Sequence, residues 1–282
     1  MVLCVGVVGA GVIGSGVALC ACLRGHQVRL VDDRASQLEG SLAGMARQLR
    51  FRRFFGLDDS QDASRILGRV QSATSLELLS ECSVVVENIT EDWALKAELY
   101  PLFDRFCPQA MLAANTSALP IAELGSLLAR PERLVGIHFM NPVHLNGWVE
   151  LIEAPSTSPA TLSQAHDFLE SLGKQWVSVK DGAGFVSNRV LMLTLNEAIR
   201  VLDEGRAEAD GIDRLFRGCF GHAEGPLATA DLIGLDTVLN TLEILAERVD
   251  PQRFEPAPRL RAMVAAGRLG RKSGKGFFEY EN

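Results

Sequence analysis

The stretch Val5-Gly-Val-Val-Gly-Ala-Gly-Val-Ile-Gly14 constrains this chain more than any other. The β-branched run Val2–Val8 reads as a strand buried on both faces. Glycines 9, 11 and 14 follow at GxGxxG spacing, and the small residues from Ser15 to Arg24 read as a helix closed by Gly25 and His26. Val28–Asp32 reads as a second strand, which makes a βαβ unit. Each glycine has a physical task. One permits a tight turn, one lets the backbone approach a pyrophosphate, and one lets the helix pack on the strand. The diphosphate then sits at the helix N-terminus. Gly9, Gly11 and Gly14, with Val12 and Ile13 between them, are therefore the expected dinucleotide-binding turn. Asp32 ends the second strand, where a carboxylate accepts hydrogen bonds from the adenosine ribose and repels a 2′-phosphate. That favours NAD over NADP, with Arg34 close enough to blur the preference.

Further strands are expected at Val84–Glu87, Met111–Ala114, Leu134–Phe139, Val149–Glu153 and Trp176–Lys180. Helices are expected at Asp92–Cys107, Ile121–Leu128 and Thr161–Leu172. Residues 35–75 read as a long polar helical insertion, with the basic and aromatic cluster Arg50-Phe-Arg-Arg-Phe-Phe inside it. After Gly182-Ala-Gly-Phe185 the strand patterns stop. Val186–Asp203, Ala209–Phe216, Ala230–Arg248 and Pro258–Ala266 all read as helices. The expected fold class is thus α/β, a Rossmann-like doubly wound sheet domain over 1–182 followed by an all-helical domain over 183–282.

The charge balance, 28 Lys and Arg against 35 Asp and Glu, argues against a nucleic-acid surface. No apolar run is long enough to suggest a membrane span. The apolar N-terminus lacks the basic flank of a signal peptide. Six cysteines, without a CxxC pair, are too sparse for a disulfide framework, so a reducing, cytoplasmic setting is expected. No metal site is expected. The closing Gly270-Arg-Lys-Ser-Gly-Lys-Gly276 lacks both the residue order and the preceding strand of a phosphate loop, and reads as a structural turn.

His138 falls at the end of an expected strand, and Glu150 follows twelve residues later at the start of the next. A carboxylate beside an imidazole fixes its tautomer and raises its basicity, as a general base near neutral pH requires. On spacing alone a structural histidine with a surface glutamate is the better reading.

Many ordered motifs reverse that preference. They include Gly9-Ala-Gly-Val-Ile-Gly14, Glu87 to Glu98, Asn115-Thr-Ser117, His138-Phe-Met-Asn-Pro142, Val149-Glu150, Lys180 to Arg189, and Gly267 to Phe277. With them the chain resembles the L-3-hydroxyacyl-CoA dehydrogenases, including bacterial 3-hydroxybutyryl-CoA dehydrogenases. The resemblance implies His138 as the general base, Glu150 as its partner, and Ser117 and Asn188 as hydrogen-bond partners of the substrate oxygen. It places Glu91, Lys96, Asn115 and Asn141 near the cofactor. Solvated charges at a helix start remain the alternative for Glu91 and Lys96. It implies an acyl-CoA substrate and a homodimer joined through the helical domain. The arginine cluster fits contacts to the CoA nucleotide, to an acidic carrier-protein helix, or to solvent alone. Val143-His-Leu-Asn-Gly-Trp148 departs from the apolar run usual in the family, which leaves acyl preference open. His144 in it reads as a surface residue. These departures resemble relatives in polyketide pathways that oxidise a short hydroxyacyl group, such as a glyceryl thioester, on an acyl carrier protein.

Overall fold

The computed structural model describes residues 2–54 and 62–280, the side chains of 52–54 aside. The chain divides into two compact units, one ending at Asp181 and the other beginning at Gly182. Of the arginine cluster only the side chains of Arg50 and Phe51 lie within the described residues.

The first unit is built on an eight-stranded sheet. Its strands are β1 (Cys4–Val8), β2 (Gln27–Val31), β3 (Val70–Ala73), β4 (Val84–Glu87), β5 (Met111–Ala114), β6 (Leu134–Phe139), β7 (Trp148–Glu153) and β8 (Gln175–Lys180). They lie in the order β3-β2-β1-β4-β5-β6-β7-β8. The six strands from β3 to β6 are mutually parallel, and β7 runs antiparallel to β6. Parallel strands are covered on both faces, which is why Val5, Val7, Val28, Leu30, Val84 and Val86 form near-continuous buried apolar runs. The covering helices are α1 (Val12–Leu23), α2 (Ala35–Phe54), α3 (Ala63–Leu67), α4 (Trp93–Phe106), α5 (Ile121–Gly125) and α6 (Pro159–Ser171). Cys20 and Cys22 are buried on α1, as small apolar residues. From β1 the chain winds outward first toward β3 and later toward β6. The two directions part between β1 and β4, the point where an open α/β sheet leaves a crevice beyond its strand ends.

The span 35–75 differs from an all-helical insertion, because it closes with the edge strand β3. Its residues, Val-Gln-Ser-Ala, carry almost no strand signal, and tertiary pairing with β2 decides the outcome.

The second unit holds α7 (Ser187–Asp203), α8 (Ala209–Phe220), α9 (Pro226–Ile233), α10 (Leu235–Arg248) and α11 (Pro258–Ala265). The expected single helix over 230–248 is two, broken at Gly234, whose φ of +102° no helix accommodates. Leu195, Ile199, Leu227, Leu242, Leu245 and Phe254 fill its core. Asp231 is fully buried and accepts the Phe277 and Phe278 amides and the Tyr280 hydroxyl. The glycine-rich Gly270–Gly276 segment is a turn closed by a Gly270 to Lys275 backbone hydrogen bond.

His26, directly after the helix-ending Gly25, is buried in the first unit. Its Nδ1 accepts the Leu3 amide at 3.1 Å, so Nε2 carries the proton toward the Ser171 hydroxyl at 3.0 Å. Burial pushes its pKa below the ordinary value. The unfolded chain therefore binds a proton that the folded chain refuses, and stability falls as pH drops through the unfolded value of about 6.5. Urea unfolding between about pH 7 and pH 5 checks this. The His26→Gln variant is expected to be less stable at neutral pH but to show a flatter pH dependence, and parallel pH profiles would contradict the assignment.

Candidate active site and dinucleotide cleft

The glycine turn occupies the crevice between β1 and β4. Gly9 has φ +92°, and a Cβ there would lie 2.7 Å from the Asn88 backbone. A Cβ on Gly14 would fall 1.8 Å from the Gly9 carbonyl oxygen, so α1 packs against the turn only because that position is bare. Gly11 is different: nothing lies within 4 Å of its absent Cβ. It precedes Val12 and Ile13, and no side chain caps the first turn of α1, so its backbone amides face outward as an anion cradle.

Asp32 follows the last residue of β2. One carboxylate oxygen accepts the Ala10 amide at 2.8 Å and the other accepts the Arg34 amide at 3.1 Å. The same acid thus fixes the turn and faces a cleft of about 650 Å³ lined by Gly9, Gly11, Asp32, Ile89 and Leu99 among others. The Arg34 guanidinium reaches Asp32 at 3.6 Å from a largely exposed position.

The antiparallel register sets His138 directly opposite Glu150. Paired residues on neighbouring strands present their side chains on one face. His138 Nδ1 lies 2.9 Å from a Glu150 oxygen, and both residues are buried. An ionised carboxylate only accepts, so Nδ1 donates and the basic nitrogen is Nε2. The turn joining the two strands carries Asn141, whose bond to Pro142 is cis. Two grips hold that turn. Val143 packs on Gly16 of α1, where a Cβ would come within 3.0 Å of it, and the buried Lys174 ammonium donates to the Val143 and Asn146 carbonyls.

The remaining expected residues of this unit gather at the ends of β4 and β5. Asn115 takes over where β5 stops. Its Oδ1 accepts the Phe139 amide at 3.0 Å, and its amide nitrogen donates to Asn88 at 2.8 Å. The side chain thereby continues the ladder one rung beyond the strand and steadies the residue after His138. Asn88 lies within the Glu87–Glu98 motif, but its contact with Asn115 is visible only in space. Ser117 is half-buried on the next loop, and Glu91 faces that loop. Lys96 is not a solvated charge at a helix start. It is fully buried, with its ammonium 2.8 and 2.7 Å from the two Glu87 oxygens. Tyr100 donates to the same carboxylate at 2.9 Å, and burial with the Glu87 charge behind it raises its pKa well above the ordinary value. In the second unit, Asn188 lies on the first turn of α7. Among the described residues no group of three or more His, Cys, Asp or Glu side chains could hold a metal ion, and no helix is long and apolar enough to cross a membrane.

Residues 4–182 match the family model for the 3-hydroxyacyl-CoA dehydrogenase NAD-binding domain, and residues 184–280 match that for its C-terminal domain. This chain belongs to the 3-hydroxyacyl-CoA dehydrogenase family. A probable 3-hydroxybutyryl-CoA dehydrogenase of Bacillus subtilis is 40% identical, with 98% of this chain and 96% of the relative covered. The mitochondrial hydroxyacyl-coenzyme A dehydrogenase of Sus scrofa is 35% identical over 98% of this chain and 90% of its own. Among solved structures, the (S)-3-hydroxybutyryl-CoA dehydrogenase PaaH1 from Ralstonia eutropha superposes with a TM-score of 0.91, at 36% identity and with all of both chains covered. As a 3-hydroxyacyl-CoA dehydrogenase family member the chain is an oxidoreductase whose cofactor is NAD. The bare Gly11, the outward amides of α1 and the Asp32 carboxylate fit that dinucleotide.

The two glycines are expected to separate stability from binding. Gly11→Ala keeps the wild-type melting temperature, because the new methyl meets nothing in the free protein, yet weakens NADH by more than about tenfold. Gly14→Ala loses both. Thermal unfolding and NADH titration read the contrast, and wild-type NADH affinity in Gly11→Ala would refute the cradle.

Proposed function

We propose that this chain interconverts the 3-hydroxyacyl and 3-oxoacyl forms of an acyl-CoA thioester, with His138 as the general base. The observation that carries the reading is the buried 2.9 Å contact between His138 and Glu150 at the end of a dinucleotide-binding sheet. Relatives named for acyl-CoA substrates support the carrier. NAD, when bound, supplies a hydride acceptor for C3 of the substrate. His138 Nε2 takes the proton of the 3-hydroxyl, and in the reverse direction returns it. Glu150 keeps the other ring nitrogen protonated and offsets the charge that the imidazolium gains, which a low-dielectric site would otherwise penalise.

Ser117 and Asn188 hydrogen-bond the substrate oxygen in this reading, the roles that the family resemblance gives them. Asp32 holds the adenosine ribose, and Asn115 and Asn141 lie toward the nicotinamide end. A cytoplasmic setting accords with the free cysteines. The enzyme works as a homodimer joined through the helical unit, where Leu215, Phe220 and Leu232 are exposed, and a solution mass of one chain would remove that part.

NADH consumption decides the chemistry and the carrier together. The wild-type protein is expected to oxidise NADH with acetoacetyl-CoA. His138→Ala loses turnover by about 10²–10⁴ while NADH affinity is kept. Consumption with a 3-oxoacyl carrier protein but with no CoA thioester would replace the carrier, and an undiminished rate in His138→Ala would remove the base.

A further inference from the structure

Beside His138 and Glu150 the sheet keeps an apolar surface out of the core. Side chains alternate along a strand, so Val149 and Leu151 enter the core from β7 while Trp148 and Glu150 point the opposite way. His138 shares the face of Glu150 through the register of β6 and β7. On the other flank, β8 runs parallel to β7 and sets Val177 opposite Glu150, on that same face. The pair is buried, but its two apolar neighbours are not: Trp148 and Val177 are each 53% exposed. Because β6 is parallel to β1 and β2, its carboxyl end lies along the edge where the glycine turn follows β1 and Asp32 follows β2. β7 runs back from that end, so Trp148, its first residue, lies past Glu150 toward that edge. The indole stands on a fixed backbone. The Trp148 amide donates to Asn146 Oδ1 at 3.0 Å, and the Gly147 carbonyl accepts the Gln175 amide at 2.8 Å.

We propose that Trp148 is a specificity-determining residue for the acyl group, its indole being the surface on which the acyl tail of the substrate lies. The proposal rests on the reading of His138 as the base for an acyl thioester. In that reading C3 sits between His138 Nε2 and the dinucleotide, beyond the carboxyl end of β6. Ser117 follows β5, on one flank of β6, and holds the substrate oxygen, whereas Trp148 opens β7 on the other flank. A substrate gripped by its oxygen from the β5 side has the β7 side free for its tail. Two residues of strand advance about 6.6 Å, so the methyl of a four-carbon acyl group falls short of the indole, and carbons from about the sixth outward lie against it. A half-exposed indole still has much of its large apolar area in water, and a tail laid on it removes that area. Burying one methylene fully is worth about fourfold in an equilibrium constant, and covering it from one side about twofold. Contacts this far from C3 are made alike in the ground and transition states, so they act on KM and not on kcat.

The test is a chain-length series of acetoacetyl-CoA, 3-oxohexanoyl-CoA and 3-oxodecanoyl-CoA, assayed by NADH consumption in the wild type, Trp148→Ala and Trp148→Phe. In Trp148→Ala the ratio of kcat/KM for 3-oxodecanoyl-CoA to that for acetoacetyl-CoA should fall by more than about tenfold, with the fall residing in KM. Trp148→Phe restores an aromatic surface and should recover most of the ratio. Emission of the indole reads the contact without turnover. Decanoyl-CoA, which has no 3-oxygen to reduce, should shift the tryptophan emission of the wild type to the blue, and the shift should be absent from Trp148→Phe. A loss in Trp148→Ala that is equal at every length overturns the proposal, because the indole would then meet the carrier arm or support Glu150. So does a ratio that rises, which would make the indole a wall against long tails, or a blue shift that persists in Trp148→Phe. A wild-type protein that consumes no NADH with any of the three thioesters would instead refute the proposed function, and the emission shift would still decide the contact.

Discussion

Pairing between β6 and β7 in one antiparallel register brings an imidazole and a carboxylate from separate strands to a single face. A slip of one residue would send the two side chains to opposite faces of the sheet. The register is held from several sides. Apolar Ile137, Phe139, Val149 and Leu151 must stay buried, Asn115 pins the Phe139 amide, and the turn between the strands is gripped by Lys174 and by the bare surface of Gly16. The pair inherits its geometry from the packing around it.

Charge is managed in the same economical way. Three buried acids each meet a set of donors: Glu87 has Lys96, Tyr100 and a backbone amide, Asp32 has two amides, and Asp231 has two amides and a phenol. Isolated buried charges cost several kcal/mol, and paired ones become fixed points from which loops are hung. The loops so fixed are the glycine turn and the C-terminal turn of the helical unit.

Much of this was legible in the residues. The glycine spacing, the β-branched runs and the acid ending β2 specify a local βαβ unit whose signals lie close together in the chain, so the Rossmann-like sheet followed by helices could be read directly. The β6 and β7 strands were equally plain, although whether His138 and Glu150 meet depends on register, which spacing leaves open. Other features had no local signal. β3 is short, polar and half-exposed, and it exists because β2 offers an edge. Gly234 breaks a helix through a backbone angle that helical periodicity does not report. Lys96 looks like any charge on an early helical turn, and its burial depends on Glu87 arriving from the end of a strand. Asn88 lies in the Glu87–Glu98 motif and Lys174 in none, and the partners of both become neighbours only in the folded sheet.

The double grip on residues 143–146 has a consequence for how such a scaffold can diverge. A loop tethered through two of its carbonyls and wedged against a bare helix cannot grow longer without surrendering both anchors. Variation beside β6 and β7 is thereby confined to exchanging outward side chains, Leu145 and Trp148 foremost, on a frame of constant length.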